Sequence, residues 1–195
     1  MPIGLTHAAV TAEVAGIIHA EQSCEAMTAL SESALSLAGF ALAHAAWSIS
    51  DLEDGDFLCP LAVVEQHDGS RRMTRFEADT QEKAILAGKT AMRSATSIAA
   101  AWAFAREGAW GKLAGNSQVD VLAIDFWGSG MPATATLMQP FYRATSGGRF
   151  RIGSVPSLLV GENVLSSDSA SRSIETIMAG VHSHAMVTTL WQSWR

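Results

Sequence analysis

Asp125 is the residue best placed to do chemistry, because it interrupts the apolar run Val121-Leu122-Ala123-Ile124-Asp125-Phe126-Trp127. Strand alternation puts it on one face with Val121, Ala123 and Trp127, the face expected to be packed. A carboxylate in such a place must be paired with a cation or carry a proton, and groups of that kind serve both in acid–base sites and in structural ion pairs. Arg106 and Arg143 are the candidate partners. His182-Ser183-His184 has the spacing of an HxH metal pair, which works on a strand, where alternate side chains project together. The stripe Ile174, Met178, Val181, Ala185 favours a helix instead, and residues two apart on a helix point to different faces. His182 and His184 are therefore read as solvated or core-edge residues, with a secondary reading as acid–base partners of Asp125. No metal site is expected.

Arg143, Arg149 and Arg151 are interleaved with Phe141, Tyr142 and Phe150. Cations with aromatic neighbours could bind an anion or a single-stranded nucleic acid. A net charge of −6 argues against nucleic acid, and charge on an outer strand is also a guard against edge pairing.

Other motifs fail on their own chemistry. Gly88-Lys89-Thr90 lacks the upstream glycine of a phosphate loop, since Lys83 stands there, and it falls inside a helical pattern. Gly128-Ser129-Gly130 lacks the spacing of a nucleophile elbow and runs into Met131-Pro132, so it reads as a turn. The acidic turn Asp51, Glu53, Asp54, Asp56 does not follow a calcium-loop pattern, with Ala62 where the terminal Glu would fall. Nothing calls for a cofactor.

The elements that must position these residues follow from periodicity. Residues 8–50 read as a helical segment, with Met27, Leu30, Ala34, Leu37, Ala38, Ala41 and Ala45 on one stripe and Leu35, Leu42 and Ile49 beside it. Residues 57–77 read as a hairpin turning at Asp68-Gly69, with Pro60 at an edge or a strand start. Asp79-Thr80-Gln81-Glu82 has the form of a capping box opening a long helix over 79–107, roughly 40 Å in length, that Gly108 stops. Residues 118–161 read as a three-stranded meander with breaks at Gly153 and Pro156, and 168–193 as a final helix capped by Asp168. The expectation is a single α+β domain over 1–195. Its antiparallel sheet, hairpin plus meander, packs against a long central helix, and the N- and C-terminal helices form a second layer.

Composition bounds the rest. The chain is 48% hydrophobic and 16% charged, against about 25% charged for an average soluble domain. It can bury a core without disulfides or structural metal, and its low charge points to part of the surface being covered, a homo-oligomer with a dimer favoured. The first 70 residues hold ten acids and no Lys or Arg. Such asymmetry fits either an acidic layer facing a basic one or a solvated helical face. Residues 33–50 carry no charge, but four serines and His44 argue for a core helix rather than a membrane span. The first residues lack the basic region of a secretory leader, and Cys24 and Cys59 read as reduced thiols, so a cytoplasmic address is expected.

A long helix followed by an antiparallel meander is similar in outline to hot-dog thioesterase-like domains, although Phe76-Glu77-Ala78-Asp79 stands where a glycine-lined helix start would polarise a thioester carbonyl. The alternative expectation is a small hydrolase-type, thioesterase-like enzyme with its pocket between the long helix and the meander, using Asp125 with His182 or His184. The leading expectation is a self-associating binding or scaffold module without catalysis, taking a small-molecule or protein ligand.

Overall fold

The computed structural model describes residues 30–52, 55–111, 118–144, 148–154, 156–161, 163–165 and 167–195, without the side chains of 167–169. The expected helix over 8–29, Met27, Cys24, the acids Glu53 and Asp54, and the cap side chain of Asp168 lie outside the described residues. Within them the class is α+β. The strands are β1 (Leu61–Glu65), β2 (Arg71–Arg75), β3 (Ala101–Trp110), β4 (Val119–Gly128), β5 (Ala135–Tyr142), β6 (Arg151–Ile152), β7 (Ser157–Val160) and β8 (Asn163–Val164). The helices are α1 (Glu32–Ser50), α2 (Gln81–Ala95), α3 (Ser167–His182) and α4 (Leu190–Ser193). The sheet runs β2-β1-β3-β4-β5-β7-β8, with β6 paired to β5 and every pairing antiparallel.

α1 starts at Ser31, whose hydroxyl accepts from the Ala34 amide at 3.4 Å. Of its 19 residues 11 are buried, so it is apolar nearly all round and fills the core rather than covering it. Among the described residues α1 alone has the length and hydropathy of a bilayer span. Its apolar side chains are spent on Ala101, Ala103 and Ala105 of β3, on Leu122, Ile124 and Phe126 of β4, and on Ile177 and Val181 of α3. The helices α1 and α3 meet at glycines. A Cβ on Gly39 would sit 1.9 Å from the Ile177 carbonyl oxygen, and one on Gly180 would sit 2.1 Å from that of Ser36. Trp191 and Trp194 close the end of this core, with Trp194 edge-on to Phe150 at 5.2 Å.

The hairpin forms as read. Pro60 immediately precedes β1, Gly69 takes φ 81° in the turn, and the Gln66 amide donates to the Ser70 carbonyl at 2.9 Å. The chain then crosses the opposite face of the sheet as α2. That helix is capped by Thr80, which accepts from the Lys83 amide, and not by Asp79, which pairs with the Lys83 ammonium.

Three expectations are corrected. The helix expected over 79–107 ends at Ala95, and its second half is the central strand β3. Alanines satisfy a 3.6-residue stripe as readily as a two-residue alternation, and pairing with β1 and β4 decides between them. The alternation was present: Ala101, Ala103 and Ala105 face α1, while Trp102, Phe104 and Arg106 face α2. The helix at the centre of the core is accordingly α1, and among the described residues α2 is the helix on the other face. The helix expected over 168–193 breaks after His182. There the Thr188 hydroxyl donates to the carbonyls of His182 and His184, at 2.9 and 3.0 Å, and turns the chain into α4.

Candidate functional site

α2 and the sheet enclose a groove of about 290 Å³. On the helix, Ala84, Gly88 and Met92 form the inward stripe. Gly88 lets the helix lie directly on Phe104, whose ring would meet a Cβ at 2.2 Å. Lys89, Arg93 and Thr96, spaced i, i+4, i+7, form the neighbouring stripe and line the groove. The Trp102 indole N–H donates to the Thr96 hydroxyl at 2.9 Å, tying the end of the helix to β3. Phe104 of β3, Asp125 of β4 and Thr136 of β5 are successive register partners across the floor, and Thr134 completes the wall.

Asp125 accepts from the Thr136 hydroxyl at 2.9 Å and from the Arg106 guanidinium at 3.4 Å to each carboxylate oxygen. Its partner is thus Arg106, one of the two candidates. Arg143 instead pairs with Glu107, which also accepts from the Leu58 amide at 3.3 Å. Burial pushes the Glu107 carboxyl above the usual range, against the pull of Arg143. The face of Asp125 is the α2 face, less fully packed than the α1 face that carries Leu122, Ile124 and Phe126.

The histidines lie elsewhere. His182 is exposed at the end of α3. His184 is buried and meets His44 of α1, with Nε2 3.1 Å from His44 Nδ1. Arg75 of β2 stands 3.3 Å from His44 Nε2. A guanidinium can only donate, so His44 Nε2 accepts, its Nδ1–H donates to His184 Nε2, and His184 carries its hydrogen on Nδ1. That Nδ1 is buried without a partner among the described residues. Burial, then His184, then Arg75 lower the His44 pKa to about 4, and burial lowers that of His184. Phe40 and Trp47 flank the pair.

This cluster sits on the α1 side of the sheet and Asp125 on the α2 side. The structure therefore does not bring Asp125 together with His182 or His184, because the sheet stands between them. The three arginines do not converge either. Arg143 is held by Glu107, Arg151 lies over the Tyr142 ring at 5.2 Å, and Arg149 lies in a separate hollow with Asp51 and Phe150.

The sequence reading missed Lys89, Arg93 and Thr96 as groove residues. Their i, i+4, i+7 spacing was a usable signal, but assigning Trp102 to the same helix hid the wall opposite. Among the described residues no group of three or more His, Cys, Asp and Glu comes together that could hold a metal ion. Cys59 donates to the Phe76 carbonyl at 3.4 Å, and burial pushes its thiol up, which suits packing better than reactivity. No family model, no curated protein and no solved structure matches this chain.

Proposed function

We propose that the chain is a non-catalytic binding module that takes a small ligand in the groove between α2 and the sheet. The observation that carries this reading is a pair of cations, Lys89 and Arg93, that line a concave wall and have no ion-pair partner among the described residues, opposite an acid already compensated by Arg106. A few convergent polar groups over an apolar floor are what a small-molecule site needs. We place the module in the cytoplasm as a homo-oligomer, with a dimer as the simplest symmetric form. The low charged fraction supports self-association, and the free thiol of Cys59 supports the address.

The test is a nuclear magnetic resonance screen of small polar compounds against the labelled protein, following the Trp102 indole N–H. Binders are expected to move that resonance together with the amides of Arg93 and Thr136. If compounds bind but leave these three unmoved, the groove is not the site. A light-scattering mass of one subunit at micromolar concentration would overturn self-association without touching the groove reading.

A further inference from the structure

We propose that the groove recognises a phosphate monoester, with the phosphate between Lys89 and Arg93 and a hydroxyl or amino hydrogen of the ester's body donated to Asp125. This rests on the binding-module reading and names its ligand class.

Charge comes first. Of the described cations, Arg106, Arg143, Arg71 and Lys83 have carboxylate partners, and of those that have none, Arg72, Arg75, Arg149, Arg151, Arg172 and Arg195 lie outside the groove lining. Lys89 and Arg93 also have none but line the groove. Like charges one helical turn apart repel, a cost that an anion bridging them removes. Two adjacent cations favour a dianion over a carboxylate. A phosphate monoester carries roughly −1.5 to −2 near neutral pH and offers three acceptor oxygens. The planar fork of Arg93 can take two of them and the Lys89 ammonium the third.

The opposite wall sets the other end of the ligand. An ionised carboxylate has about four acceptor sites. Asp125 spends one on Thr136 and shares two long contacts with Arg106, so acceptor capacity remains on its groove side. It repels a second anionic group and rewards a donor, which fixes the orientation of a ligand with one anionic and one donor end. Between the two ends lie Met92, Trp102 and Phe104, an apolar floor for a ring or short carbon frame. The volume, about 290 Å³, is at the small end of ligand sites and excludes a dinucleotide or a polymer from full enclosure.

The probe is 4-aminophenyl phosphate, titrated calorimetrically and by the Trp102 indole resonance, with 4-aminobenzoate and inorganic phosphate as comparison arms. The aminophenyl phosphate is expected to bind about tenfold or more tightly than either, and Lys89→Gln and Arg93→Gln should each weaken it by a similar factor. Both residues are exposed, so these variants should fold, and Lys83→Gln on the same helix should leave affinity unchanged. Equal affinity for 4-aminobenzoate, no effect of Lys89→Gln and Arg93→Gln, or an equal loss in Lys83→Gln would overturn the proposal. If the phosphate ester fails while other compounds still move the Trp102 indole, the ligand class falls and the binding module stands. If nothing moves it, both fall.

Discussion

Acidification should weaken this protein through His44. In the folded chain its imidazole accepts from Arg75 and donates to His184, so a proton added at Nε2 removes an acceptor and faces a guanidinium 3.3 Å away. Its pKa falls from 6.5 to about 4 on folding. A group with a depressed folded pKa is protonated first in the unfolded chain, so the unfolded state binds the extra proton. For a histidine the stabilisation is complete above about pH 6.5 and is lost as pH falls towards about 4. The full difference corresponds to at most about 3.4 kcal/mol, and half-exposure of the ring screens it to about half of that. Between about pH 7 and about pH 5 the loss assigned to His44 is then about 1 kcal/mol. Urea unfolding followed by tryptophan fluorescence measures it directly. His44→Gln keeps an acceptor for Arg75 and a donor for His184 but does not titrate, so its midpoint should fall less than that of the parent over the same pH interval. Carboxylates titrating below pH 5 affect both proteins alike and cancel in the comparison. Equal losses in the two proteins would refute the assignment of donors and acceptors along Arg75, His44 and His184.

Two substitutions test the frame around the groove and the core. Asp125→Ala leaves the Arg106 guanidinium, only 18% exposed in its side chain, without its counter-charge; denaturant melts should show a loss of about 3 kcal/mol, and Asp125→Asn, which still accepts from Thr136, should lose less. Gly180→Ala pushes a methyl against the Ser36 carbonyl and must part α1 from α3. Calorimetry should record about 1–3 kcal/mol of destabilisation with the sheet intact by circular dichroism.

The hairpin was legible because it depends on adjacent residues. Asp68-Gly69 supplies the turn, Pro60 marks where pairing begins, and neither needs a distant partner. The core role of residues 33–50 was legible for a similar reason, since an uncharged run with serines and a histidine suits a protein interior better than lipid. The breaks at Gly153 and Pro156 also fall where β6 gives way to β7. Residues 96–107 were misread because alanine is compatible with either period. The sequence offers both Arg106 and Arg143 as partners of Asp125, and the register of β3 against β4 decides for Arg106.

The sequence by itself determined what local chemistry can determine: an α+β chain with its turns, the apolar α1, and an acid set in a strand that required a cation. Only the tertiary structure decided which face of the sheet each side chain occupies. It carried Asp125 to the α2 side with Lys89 and Arg93, and it brought His184 to His44 across a separation of 140 residues. A strand's face is fixed by which neighbours it pairs with and in what register. Those pairings join segments far apart in the chain, so no short window of residues contains them.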